Sequence, residues 1–315
     1  MRTLGWLIST LLLTVFGYLV IYGLCCSINY NGRPLVYLWS DYYSSNGGPT
    51  HLKSQEWNSH CEKYKQWDAV ILGASRAERS YDPQFFANHG MEIFNFGTSA
   101  QSIQNSRILV DHILTGSCST REIWLDVYPA SFKDDALESS ADLIQNIGFV
   151  EVPFEIAQEN KDFRMINLLL KRYFCENGEV PLANASYKRN GYVSVDQTLS
   201  IELKNKLKNF HPYVSSDFQV GEKSLKAFES ILKICAAHHV KFRAIVSPVS
   251  AFGSQLEMNR MLDSILPVME KYNSTLINLS NTQGIETSLH FYDEKHLNTN
   301  GVKLFNQSLL KCLTK

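Results

Sequence analysis

Asp68-Ala69-Val70-Ile71-Leu72-Gly73-Ala74-Ser75-Arg76 is a short apolar run closed by a glycine, a serine and a basic side chain. The run from Asp68 to Leu72 is too short for a helix. Its near-continuous apolar character suits a strand buried on both faces. Gly73 allows a sharp turn after that strand, and a helix beginning at Arg76 to Arg79 would aim its backbone N–H groups and positive dipole end at the serine. A hydroxyl held there stands at the top of a sheet, where a base can activate it. The same serine also suits a helix N-cap, so on this segment alone both readings stand.

Working outward, the strand pattern recurs. Glu92–Phe96, Glu122–Val127, Phe242–Val246 and Thr275–Leu279 are further strand-length apolar runs. Between and after them, 102–114, 225–237, 256–272 and 300–313 carry apolar residues at helical spacing. Strands alternating with helices predict an α/β fold: a flavodoxin-like three-layer sandwich around a five-stranded parallel sheet, with its site at the carboxyl ends of the strands. The alternation breaks from about 130 to 220. Acidic residues (Asp134, Asp135, Glu138, Asp142), a helical stretch at Phe163–Phe174 and a polar loop at Asn184–Gly191 read there as an insertion near the mouth of the site, a lid or a substrate-binding subdomain.

The N-terminus has its own character. No charged residue occurs from Leu4 to Cys25. As a helix this stretch is about 33 Å long, enough to cross a bilayer core of roughly 30 Å. Residues 1–28 are therefore read as a transmembrane anchor, with a cleaved signal peptide as the competing reading. A removed signal has a shorter apolar core and a small-x-small cleavage site, which Tyr22-Gly23-Leu24-Cys25 does not supply. Arg2 lies before the run and the next basic residue is Arg33, so the few charges place the N-terminus in the cytoplasm and the remainder outside it. Residues 29–66, rich in Tyr, Ser, Asn, Gly and His, read as a stalk. Residues 67–315 then form the main domain.

Composition excludes some classes. The 315 residues carry a net charge of −1, without the basic field that nucleic-acid binding needs. The seven cysteines show no CxxC pair and no histidine at ligand spacing, so neither a metal nor a cofactor is expected. One or two disulfides would fit an extracytoplasmic domain, but spacing does not reveal the pairing, and single buried thiols fit equally.

The second chemical signal is Asp293-Glu294-Lys295-His296. At this spacing on a loop or first helical turn, the carboxylate can orient the imidazole and stabilise its charge. A helix-start Asp followed by a surface His is the plain alternative. Leu297-Asn298-Thr299-Asn300-Gly301 then supplies a turn before the last helix, the placement needed to return a late histidine over the strand ends.

Together these blocks resemble the SGNH (GDSL-like) hydrolase superfamily, in particular its membrane-anchored cell-envelope branch, which includes the alginate O-acetylation proteins and the D-alanyl-transfer protein of teichoic acid synthesis. The matching stretches are Val70–Ala77, Asn95–Ser102, and Phe291–Asn298 with Gly301. The resemblance implies Ser75 as nucleophile, His296 as general base and then acid, and Asp293 as its orienting partner. It implies an oxyanion hole from the backbone N–H groups of Ser75 and Ala100, where many members have glycine at the second position. The third block, which usually offers an asparagine donor, reads Tyr128-Pro129-Ala130-Ser131 here. Tyr128 is thus either a substitute donor or a core or rim aromatic. Arg76 and Tyr128 are candidate substrate contacts. By the same resemblance the expected partner is an acylated glycan or another envelope polymer, met at the membrane alongside other envelope-modification proteins. The activity expected is an O-acyl esterase or acyltransferase. A non-catalytic binding or assembly protein on the same fold is the alternative.

Overall fold

The computed structural model describes residues 2–36, 38, 48–63, 66–133, 137–175, 186–210 and 217–314. Asp134, Asp135 and Asn184 lie outside the described residues.

Helix α1 (Arg2–Ser27) is followed by a two-residue-per-strand hairpin pairing Asn29–Tyr30 with Arg33–Pro34, and by α2 (Pro49–Lys63). Strand β1 (Gln66–Leu72) leads into a short helix, α3 (Ser75–Ser80). Then come β2 (Ile93–Asn95), α4 (Ile103–Thr115) and β3 (Ser119–Asp126). The inserted helices are α5 (Leu137–Asn146), α6 (Val152–Asn160) and α7 (Phe163–Phe174). The alternation resumes with α8 (Glu222–Ala237), β4 (Lys241–Val246), α9 (Gln255–Lys271), β5 (Thr275–Asn278) and α10 (Thr299–Leu313).

The five strands form one parallel sheet in the order β2-β1-β3-β4-β5. This is the flavodoxin-like order that the alternation predicts. The pleat divides each strand between two layers. Trp67, Val70 and Leu72 of β1 join Ile123 and Leu125 of β3 and Ala244 of β4 in the core beneath α2, α4, α8 and α9. Ala69, Ile71, Trp124 and Ile245 face the other way, toward Ala77 of α3 and Val302, Phe305 and Leu309 of α10. Burial on both faces explains why these strands read as apolar runs without alternation. Strand β5 is the exception: it is an edge strand, and Asn278 and Thr275 are exposed.

The stalk expected at 29–66 is corrected for residues 49–63. They form α2, which belongs to the domain: Trp57 is buried and stacks on Trp67 at 5.8 Å, and Lys53 is fully buried. Polar side chains with buried partners (Thr50 to Asp142 at 2.6 Å, Lys53 to Glu78 at 2.8 Å) gave this helix the composition of a linker.

The insertion divides its contacts. Helices α5–α7 pack as a group against α2, α4 and α1. Residues 187–193 lie along the β2 edge, where Val193 N–H donates to Glu78 O at 3.1 Å. The helix Ile201–Lys208 reaches the Asp293 loop, where Lys206 pairs with Glu294.

Two disulfides, Cys26–Cys175 and Cys61–Cys118, join segments 149 and 57 residues apart, leaving Cys25, Cys235 and Cys312 unpaired. Cys61–Cys118 ties α2 to the loop before β3. By the entropy of the loop it closes, Cys61→Ser with Cys118→Ser should lower stability by about 2–4 kcal/mol in non-reducing denaturant titrations. The deficit should vanish when wild type is compared with the variant under reductant.

Candidate active site

The serine turn is shaped by what surrounds it. Gly73 has φ +139°, and a Cβ there would come within 3.0 Å of Asp126 Cβ and Asp126 O, so the chain can turn against β3 only at a glycine. The N-cap of α3 is Ala74, and Ser75 is its first helical residue. Ser75 is thus not the cap, and its side chain is free to point elsewhere. Its Oγ lies 2.7 Å from His296 Nε2.

His296 is half-buried on the loop between β5 and α10. That loop is pinned at both ends. Phe291 and Leu297 bridge across it, and Asn298 caps α10 through Gly301 N–H at 3.0 Å while its amide donates to Leu289 O at 2.8 Å. Asp293 Oδ1 accepts the backbone N–H groups of Lys295 and His296, each at 2.8 Å. Its Oδ2 lies 2.8 Å from His296 Nδ1. With the carboxylate accepting from Nδ1–H, Nε2 is left as the acceptor for the serine hydroxyl. The structure therefore brings Ser75, His296 and Asp293 into one hydrogen-bonded chain across 221 residues of sequence.

Burial raises the Asp293 carboxyl, but the His296 imidazole and the two backbone N–H groups outweigh it and hold it below its usual value. A carboxyl held below its unfolded value of about 3.9 stabilises the fold above that value and stops doing so as pH falls through the lower, folded one. Asp293→Asn keeps the acceptor oxygen for the backbone and removes the charge. In denaturant titrations the variant should be less stable than wild type at neutral pH, and the gap should close below about pH 4.

The second block runs alongside the serine turn. Thr98 N–H donates to Gly73 O at 3.1 Å, and Gly73 N–H donates to Gln101 Oε1 at 2.8 Å. Gln101 is fully buried, and its amide donates to Phe96 O at 3.0 Å and Thr98 Oγ1 at 3.2 Å. Asn95 donates to Ala77 O at 2.8 Å and Tyr81 O at 3.1 Å, satisfying carbonyls at the end of α3. Ala100 is exposed in this turn with φ +51°, the left-handed region, which costs a non-glycine residue about 1–2 kcal/mol. That backbone accounts for the glycine the resemblance expects here.

Arg76 and Tyr128 are placed differently from the sequence expectation. Arg76 is 3% exposed. Its Nη2 is shared among Ser247 O at 2.9 Å, Ser247 Oγ at 2.8 Å and Pro248 O at 2.9 Å. Its Nη1 reaches Lys295 O at 3.4 Å, and its Nε lies 3.9 Å from Asp126 Oδ1. Its guanidinium carbon stands 4.4 Å from the centroid of the half-buried Tyr128 ring. Arg76 is thereby corrected from a substrate contact to a positioning residue that ties the serine helix to the ends of β3 and β4 and to the histidine loop. Tyr128 is half-buried, packed against the hydrophobic core beside that guanidinium.

Other members of this assembly were missed. Asp126 is buried at the end of β3 and accepts from Tyr81 OH at 2.9 Å. Burial pushes its carboxyl up, against the pull of Arg76 and its hydrogen-bonding neighbours. A lone acid inside the run Ile123-Trp124-Leu125-Asp126-Val127 was the available signal. Lys53 and Glu78 form a second buried pair, and Lys53 Nζ also donates to Gly97 O. A Cβ on Gly97 would come within 2.6 Å of Glu78 N, so the second block packs backbone to backbone on α3.

No protein-family model and no curated protein matches the chain. Among solved structures, the chain is similar to one described as "a putative platelet activating factor from Streptococcus pneumonia", at 10% identity and a TM-score of 0.44, over 84% of this chain and 92% of that one.

Proposed function

We propose that this protein is a membrane-anchored serine O-acyl esterase or O-acyltransferase acting on a cell-envelope polysaccharide or a related polymer. The observation that carries the reading is the hydrogen-bonded chain from Ser75 Oγ through His296 to Asp293.

In the proposed reaction, His296 Nε2 takes the proton of Ser75 as its Oγ attacks an ester carbonyl. The tetrahedral oxyanion is met by the N–H of Ser75, which as the first helical residue has no intrahelical acceptor, together with that of Ala100. His296 returns the proton to the leaving alcohol, and an acyl-Ser75 remains. Water or a sugar hydroxyl, deprotonated by the same nitrogen, then takes the acyl group, and His296 returns the proton to Ser75 Oγ as the acyl–oxygen bond breaks. Arg76 holds Ser75 and the histidine loop in register throughout.

An extracytoplasmic domain is supported by the two disulfides, which persist in oxidising compartments, and by the single N-terminal helix long and apolar enough to cross a bilayer. A polymer substrate rests on the resemblance and on this location. The reading as a binding or assembly protein is favoured by one observation: the third block offers Tyr128, engaged with Arg76, in place of an asparagine donor.

The test is to mix the full chain with p-nitrophenyl acetate, quench in acid and map the adduct by peptide mass spectrometry. An acetyl group on the Ser75 peptide, transferred on addition of water or an oligosaccharide, supports the enzyme. Nitrophenol release no faster from wild type than from Ser75→Ala, with no adduct, favours the binding protein.

A further inference from the structure

Helix α7 has two apolar faces. Met165, Leu168 and the buried stem of Lys171 face the domain. The opposite face should then be polar, as on most surface helices. Instead it carries Phe163 (59% exposed), Ile166 (42%), Tyr173 (49%) and Phe174 (54%). These positions are spaced three, seven and one apart, a stripe along the helix. Phe154 of α6 extends it, its ring 5.2 Å from that of Tyr173.

This stripe is continuous with the candidate bilayer-spanning helix. Phe163 meets the Tyr18 ring at 5.5 Å. Tyr22 OH donates to Asn167 O at 2.6 Å, and Tyr18 OH donates to the Asn167 side chain. Cys26–Cys175 then closes the far end covalently. Tyr18, Tyr22 and Cys26 meet Phe163, Asn167 and Cys175 in order, so α7 lies alongside α1 over about the last 14 Å before its domain-side end. The apolar span Leu4–Ser27 is about 36 Å long against a hydrocarbon core of roughly 30 Å. The contact therefore spans the boundary of headgroups and acyl chains. That is the depth, about 5–10 Å into the interface, at which membrane-lying helices settle, and tyrosines favour the same level.

We propose that α7, with the adjoining end of α6, is an interfacial helix whose outward face is immersed in the lipid leaflet on the domain's side. The protein then meets the bilayer twice, through α1 and through α7, and the Cys26–Cys175 bond locks the two together. A single spanning helix leaves a domain free to swivel and tilt. The second contact fixes both, and with them the height of the domain above the membrane. The inference rests on α1 crossing the bilayer and not on catalysis.

The test uses the full chain at one copy per lipid nanodisc, with lipids brominated at shallow acyl positions to quench tryptophan. Phe163→Trp and Tyr173→Trp place reporters on the stripe at already exposed aromatic positions, so folding is not at risk. Ile201→Trp, at an 81% exposed site, is the water-facing control; because the chain has five native tryptophans, each reporter is read as the difference from wild type, and Trp6 of α1 as the difference between wild type and Trp6→Phe. The result expected is blue-shifted, strongly quenched emission from both stripe reporters, several-fold above the Ile201 control. Quenched Trp6 with stripe reporters no more quenched than the control would overturn the proposal while leaving the anchor standing. If Trp6 also escaped quenching, the anchor reading would fall with it. Stripe reporters that shift to the blue only when several copies share a disc would assign the face to a second copy instead of lipid, and would equally overturn it.

Discussion

His296→Gln is expected to lower the rate of acyl transfer from an activated ester by roughly 10⁴–10⁶-fold, while the variant unfolds within a few degrees of wild type. Glutamine offers an amide of similar reach but no nitrogen able to take and return a proton near neutral pH. The hydroxyl 2.7 Å away would keep a hydrogen-bond partner and lose its base. Folding should tolerate the change. The loop is held by Asp293 and Asn298 through backbone groups; the side chain adds its stacking on Tyr292, with ring centroids 5.6 Å apart, and its hydrogen bond to Asp293, which the glutamine amide can replace. Single-turnover kinetics on both proteins, with thermal unfolding of each, separates the base from the scaffold. A variant within tenfold of wild type would remove His296 from the mechanism.

Lys53→Met carries the largest expected cost in stability. Methionine fills a similar volume, but it leaves the Glu78 carboxylate, 4% exposed, without the ammonium 2.8 Å away, and Gly97 O without its donor. Arg79 Nε, 3.9 Å from the other carboxylate oxygen, is too distant to compensate. Removing one partner of a buried pair typically costs about 3–5 kcal/mol. Adding Glu78→Gln should recover most of the loss, since neither charge is then stranded. Denaturant titrations of the two single variants and the double variant decide this. A Lys53→Met protein as stable as wild type would mean that the pair contributes nothing net.

Much of the architecture was legible because both sheet faces are buried. Ala69 to Leu72 have no polar position to interrupt the run, so strand, turn and serine stand out together. Asp293 and His296 are three residues apart, and a local pair needs no knowledge of the fold. The structure joins them to Ser75 because the strands run parallel, so the end of β1 and the loop after β5 both open at the carboxyl end of the sheet.

What was not legible depended on partners distant in sequence. Arg76 read as a substrate contact, since nothing near it in sequence predicts Ser247 and Pro248 as its acceptors. Helix α2 looked like a stalk because it buries Thr50, Lys53 and Ser54, whose compensation by Asp142 and Glu78 exists only in the folded chain. The cysteine pairs were hidden for the same reason, as Cys26 finds Cys175 only once α7 lies alongside α1. The left-handed backbone of Ala100 is a conformational fact that an alanine conceals.

The most direct measurement of the central claim is covalent labelling of the full chain in detergent or nanodiscs with a fluorophosphonate, comparing wild type, Ser75→Ala and His296→Ala. An activated Ser75 predicts stoichiometric labelling of wild type, a modified Ser75 peptide, and no labelling of either variant. A folded wild-type protein that takes up no probe, or labelling that persists in Ser75→Ala, would contradict the account.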